Sequence, residues 1–127
     1  MNYLANAEQA MKVWNYLFRT EQTIQAFVAA CNLCHQLCLQ AVVNYKTGEK
    51  PIETDHLRLM MNCAEICQMS ANFQLSNSDF HRHLYGICAD VCEMSATSCE
   101  KIGGMNECVT ACRDCAASCQ QMVNIQH

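Results

Sequence analysis

Proline occurs once in this 127-residue chain, at Pro51, and glycine only four times. Long segments therefore run without a breaker, which favours an all-helical fold and leaves little room for frequent turns. Charge is also scarce. Only 16% of residues are charged and the formal net charge is -4. No basic stripe or lysine-rich tail appears, which argues against nucleic acid and anionic membranes as partners. The N-terminus lacks a basic start, a long apolar run and a small-residue cleavage site, so no secretory signal is read there. No uninterrupted apolar run approaches the roughly 18 residues that span a bilayer. A soluble, cytoplasmic protein is expected.

Against this background, cysteine is abundant: twelve residues. The length fits one domain over 1–127 that can bury a core without cross-links. In a reducing cytosol, so many cysteines point to metal or redox chemistry rather than to a disulfide scaffold.

The few breakers divide the chain. Thr47-Gly48-Glu49-Lys50-Pro51 reads as a turn, with Pro51 suited to a first helical turn. Ser76-Asn77-Ser78-Asp79 is rich in N-cap residues, and Gly103-Gly104 suits a helix end. Long helices are expected over about 52–74, 78–102 and 105–124. Thr20-Glu21 can open another, about 20–46. Residues 1–19 place Tyr3, Leu4, Ala7, Met11, Trp14, Leu17 and Phe18 at helical spacing. They predict a short extra N-terminal helix lying against the bundle or a second subunit. The expected fold is thus an all-α, antiparallel up-down four-helix bundle over 20–124 with that extra helix. Cys63-Ala-Glu-Ile-Cys67-Gln-Met69-Ser70-Ala71 also parallels Cys88-Ala-Asp-Val-Cys92-Glu-Met94-Ser95-Ala96, so the second and third bundle helices are expected to do equivalent jobs.

The cysteine spacing carries the functional reading. The sets are Cys31, Cys34 and Cys38; Cys63 and Cys67; Cys88, Cys92 and Cys99; and Cys108, Cys112, Cys115 and Cys119. Steps of 3, 4 or 7 put each set on one helix face. These are core seams in which cysteine replaces leucine. Counting from the Gly103-Gly104 end predicts four layers. Cys99 and Cys108 lie outermost, followed by Cys38, Cys63 and Cys112. Cys34, Cys67, Cys92 and Cys115 come next, and Cys31, Cys88 and Cys119 lie deepest. Ser95 and Ser70 fill the vacant places.

Soft thiolates select Cu(I), Zn(II) or iron–sulfur clusters. Zinc prefers isolated four-ligand sites, and iron–sulfur sets often end in Cys-Pro, which is absent here. A continuous column suits Cu(I), which accepts two or three thiolates and shares them between ions. One ion per cysteine, roughly a dozen, is the expected capacity. Met60 and Met105 extend the stripes and His56 lies a turn further out, so that end is the expected mouth. Ile24, Phe27, Phe73 and Tyr85 are expected to plug the other. His35 lies off the cysteine face and is expected at the surface or an interface. His81, His83 and His127 have no evident role.

Glu107-Cys108-Val-Thr-Ala-Cys112-Arg-Asp-Cys115-Ala-Ala-Ser-Cys119 resembles the terminal cysteine-rich helix of the bacterial four-helix-bundle copper storage proteins. Met60, three residues before Cys63, is similar to that family's methionine near the open end. The resemblance spans about residues 20–124. It implies Cu(I) held by inward-facing thiolates, cytosolic storage and a homotetramer; it does not include the 1–19 segment. Alternatives stay open: a zinc or mixed-metal thiolate sink, a cytosolic thiol redox protein, or a disulfide-bonded bundle. Glu53-Thr-Asp-His56 is a lone Glu-x-x-His, and a di-iron site needs two plus further inward glutamates. No enzyme is expected.

Overall fold

The computed structural model describes residues 3–47 and 53–125; the 48–52 part of the expected turn, and His127, lie outside them. Four helices follow one another: α1 (Tyr3–Thr47), α2 (Thr54–Leu75), α3 (Arg82–Ile102) and α4 (Asn106–Ile125). Each packs against two neighbours, so α1 and α3 face each other diagonally, as do α2 and α4. Side-chain pairings fix the directions. Cys38 meets Cys63 while Cys34 meets Cys67, Cys38 meets Cys112 while Cys31 meets Cys115, Met60 meets Cys99 while Gln74 meets Tyr85, and Ser95 meets Cys112 while Cys88 meets Cys115, so adjacent helices run antiparallel.

Asn77 and Gly103 build two of the chain reversals. Asn77 takes φ 52°, the left-handed conformation that asparagine tolerates. Its N–H reaches Gln74 O at 3.1 Å, while Ser78 N–H reaches Phe73 O at 2.9 Å. This paired closure satisfies the last carbonyls of α2. Ser78 Oγ then accepts Phe80 N–H at 3.1 Å. The residues expected to start a helix at 78 thus first end the preceding one, and regular α3 begins at Arg82. At the other reversal Gly103 has φ 81° and ψ 159° and donates to Cys99 O. That backbone region is essentially restricted to glycine.

One expectation is corrected. Residues 3–18 are helical, but they form no separate helix; α1 runs unbroken for 45 residues. At about 1.5 Å per residue it is twice as long as α2. Thr20 was expected to open a helix. Instead its Oγ1 donates to Tyr16 O at 2.9 Å, the bond back to the previous turn that threonine makes inside a helix. With no glycine or proline nearby, nothing stops the ladder. This arm does not lie against the bundle. Met11, Trp14 and Leu17 are all more than half exposed, and Trp14 stacks on Phe18 with centroids 5.4 Å apart. A stretch within Asn6–Asn44 is also long and apolar enough, by average hydropathy, to cross a membrane. Its Phe27, Cys31, Cys34 and Cys38 are buried in the bundle.

The repeat in α2 and α3 has a structural counterpart. Cys63, Cys67, Ser70 and Ala71 are buried, and so are Cys88, Cys92, Ser95 and Ala96. Met69 and Met94 are exposed. Buried Ala64, Ala71, Ala89, Ala96, Ala111 and Ala116 flank the sulfurs. Such small residues let helix axes approach closely, which brings the short cysteine side chains within reach across the bundle.

Candidate metal centre

The bundle axis is a column of sulfur. Eleven of the twelve cysteines are 0% exposed and Cys108 is 7% exposed. No disulfide joins them. Three clusters have all their sulfurs within 4.8 Å of one another: Cys34, Cys38, Cys63 and Cys112; Cys34, Cys67, Cys92 and Cys115; and Cys31, Cys88 and Cys115. Among the described residues, every cluster of three or more potential metal ligands is built from these cysteines.

Cross-helix distances run from 3.5 Å for Cys67–Cys92 to 4.0 Å for Cys63–Cys112 and Cys88–Cys115. Cys34 lies 3.7 Å from both Cys63 and Cys112, and Cys115 lies 3.7 Å from both Cys31 and Cys67. A single soft ion fits between two or three such sulfurs after small side-chain movements. Cys34 and Cys115 each belong to two clusters, so the clusters form one connected set.

The expected layer of Cys34, Cys67, Cys92 and Cys115 is present as read. The expected layer of Cys38, Cys63 and Cys112 is present too, and neighbouring layers share members. Cys34 joins Cys38, Cys63 and Cys112, and Cys115 approaches Cys31 and Cys88. Cys119 still interacts with both Cys31 and Cys88. Cys99 and Cys108 belong to no three-sulfur cluster.

Crowding couples the thiols electrostatically. Hydrogen bonding from Cys112 holds Cys34 down to about 6, and hydrogen bonding from Cys112 lowers Cys63 as well. Cys119 and Cys31 lower Cys115 in the same way. The neighbours move oppositely: Cys38 is raised by Cys112, and Cys67 by Cys115. A thiolate surrounded by S–H donors is stabilised, while its neighbours resist losing their own protons. Cys99, remote from these donors, is pushed up to about 11 by burial. A cation entering the column would remove this mutual penalty, because it replaces the protons.

Beyond the clusters at the Gly103 end lies Met60, fully buried. Its Sδ accepts Ser95 Oγ–H at 3.3 Å and Cys99 S–H at 3.4 Å. Ser95 Oγ also accepts Cys112 S–H at 3.6 Å. Ser95 thus occupies the cysteine-phase position expected of it. Ser70, at the other such position, is buried, and its Oγ has no hydrogen-bond partner among the described residues. His56 is buried beside Ser98, with Nδ1 2.7 Å from Ser98 Oγ. Met105 is half-buried against the core. Glu53 is exposed at the N-cap of α2, which suits no buried di-iron ligand.

The opposite end is plugged. Phe27 and Tyr85 are buried and meet edge to face at 5.4 Å, and Met122 is fully buried. Ile24 and Phe73 are only half-buried. Tyr85 Oη–H donates to Gln74 Oε1 at 2.6 Å, and His81 Nδ1 lies 2.8 Å from Tyr85 Oη. The four-residue step from His81 to Tyr85 was the available signal for this polar chain; Gln74 gave none. His35 lies off the sulfur column, as expected, at the seam between two helices. It is half-buried, and its Nδ1 lies 2.7 Å from Ala64 O, tying α1 to α2.

The copper storage protein family profile matches residues 16–124. The chain belongs to this family. No curated relative matches its sequence. Among solved structures, Nmul_A1745 from Nitrosospira multiformis is 50% identical, with a TM-score of 0.77, covering 83% of this chain and 98% of that one. The Cu(I)-bound copper storage protein BsCsp3 is 27% identical over 80% of this chain and 98% of that one, with a TM-score of 0.73. Apo copper storage protein 3 from Bacillus subtilis is 28% identical over 77% and 96%, with a TM-score of 0.64. Copper storage proteins are in general not enzymes. The family match begins at residue 16, so most of the exposed arm of α1 lies outside it.

Proposed function

We propose that this chain, acting as a single domain in the cytoplasm, stores multiple Cu(I) ions on the thiolates of its core. The observation that carries the reading is the connected set of cysteine clusters, with Cys34 and Cys115 shared. Shared sulfurs suit an ion that accepts bridging thiolates, and soft sulfur selects Cu(I) over harder cations. Family membership and the copper in BsCsp3 support the same choice.

The proposed ligands are Cys31, Cys34, Cys38, Cys63, Cys67, Cys88, Cys92, Cys99, Cys108, Cys112, Cys115 and Cys119. Two thiolates per ion, each serving two ions, give a capacity of about a dozen. Met60, Met105 and His56 form weaker sites where ions enter or leave, with Met60 already placed against Cys99. Phe27, Tyr85 and Met122 close the far end. Family resemblance supports a homotetramer.

An anaerobic Cu(I) titration against a coloured chelator tests this. Uptake of about ten or more ions per chain, with the chelator outcompeted, is expected. A plateau at one or two ions would point to a chaperone or sensor. Equal retention of Zn(II) in competition would replace copper with a mixed thiolate sink.

A further inference from the structure

The sulfurs already outline holes of a definite size. Cys34 lies 4.0 Å from Cys38 and 3.7 Å from both Cys63 and Cys112. Cys112 lies 3.8 Å from Cys38 and 4.0 Å from Cys63. The remaining pair, Cys38 and Cys63, is within 4.8 Å. A flat set with the five shorter distances would stretch that pair far beyond this limit, so the four sulfurs surround a hole. Four thiolates at about 2.3 Å from a zinc ion stand at the corners of a tetrahedron with an edge of about 3.8 Å. The five distances lie within a few tenths of an ångström of that edge. Cys34, Cys67, Cys92 and Cys115 form a second four-sulfur cage, with every pair within 4.8 Å. In it Cys67 lies 3.5 Å from Cys92 and 3.7 Å from Cys115.

Both cages are closed. Their seven cysteines, counting the shared Cys34 once, have no exposed surface. Four protein sulfurs with no open position make a structural zinc site rather than a catalytic one. The first cage draws on α1, α2 and α4, and the second on all four helices. An ion in each clamps the bundle across its axis, and an ion held only by the folded chain stabilises it.

We infer that, in the absence of copper, the column binds two Zn(II) ions in these cages, with the Cys34 thiolate bridging them. Seven thiols give their protons to solvent as the two ions enter. The seven thiolates then outweigh the four positive charges by three. That surplus sits in a dry core, where unbalanced charge is costly. Cu(I), at one ion per thiolate, leaves no surplus. Seven Cu(I) therefore displace the two Zn(II), with no change of oxidation state and no proton gained or lost. The cages stand on geometry alone; the displacement rests on the copper-storage reading.

The test uses the full-length chain, reduced, freed of metal and kept anaerobic, with Co(II) as a coloured stand-in for Zn(II). Co(II) should give the visible bands of a four-sulfur tetrahedral ion and saturate at about two ions per chain, and Zn(II) should bleach them. X-ray absorption of the zinc form should show four sulfurs at about 2.3 Å and no nitrogen or oxygen ligand. Cu(I) added to the zinc form should eject both ions, read with a zinc dye, and reach the same copper load as the metal-free chain. Cys38→Ser, in one cage, should cost about one Co(II), and Cys108→Ser, in neither, should cost none. No four-sulfur spectrum from the unaltered chain, oxygen or nitrogen at the zinc, or an equal loss in Cys108→Ser overturns the zinc sites and leaves copper storage standing. Zinc that resists Cu(I), or uptake of only one or two Cu(I), overturns the displacement and the storage reading with it, and leaves the zinc sites standing.

Discussion

Replacing Cys34 by serine should harm the protein far more than the same change at Cys108. Cys34 is fully buried and belongs to two sulfur clusters. On the bridging arrangement it serves two ions. Cys34→Ser therefore removes a ligand from both and lowers capacity by about two ions of a dozen. The metal-free fold also suffers. The new hydroxyl would face Cys38, Cys63 and Cys112, at 3.7–4.0 Å from the present sulfur. The hydroxyl can bond back to Ala30 O within α1, but a smaller, more polar group in this dry column still costs about 1–3 kcal/mol. For a domain of this size that is a fall in Tm of about 5–15 °C. Cys108 differs, because its sulfur already faces Leu37 O. A serine there keeps a carbonyl partner, costs less than about 1 kcal/mol and removes about one ion from the end of the column. Anaerobic titration with metal counting, paired with thermal unfolding of the metal-free variants, reads both effects. Equal losses for the two variants, or full capacity in Cys34→Ser, would refute the idea of shared interior sulfurs.

Ser95→Cys should add about one ion, since its Oγ lies 3.3 Å from Met60 Sδ and 3.6 Å from Cys112 Sγ; unchanged capacity by titration would count against that position. Burial holds His56 below its ordinary value of 6.5, with Glu53 opposing more weakly. The unfolded chain therefore takes up this proton first, and metal-free stability should decline as pH falls below about 6.5. His56→Gln should flatten that decline in urea melts run across pH. Gly103→Ala should destabilise the chain by about 1–3 kcal/mol, since φ 81° with ψ 159° is strained for alanine. Titration should show its copper capacity intact, as no sulfur moves out of phase.

The amino-acid sequence alone determined that the sulfurs point inward, because steps of three, four and seven residues share one face of any α-helix. It also placed the reversal at Gly103 and the equivalence of Cys63–Ala71 with Cys88–Ala96, both of which follow from local backbone preference. It overstated the break at Thr20, where a threonine hydroxyl serves the helix interior as readily as a cap. The relative slide of the helices was set in detail by tertiary packing, with the buried alanines of α2, α3 and α4 fitting beside the sulfurs. That slide makes Cys34 and Cys115 shared members, pairs His56 with Ser98, and leaves Cys108 as the one cysteine with exposed surface. Helical periodicity fixes rotation about an axis within one helix; translation between helices costs nothing until side chains interlock, so only the assembled bundle sets it.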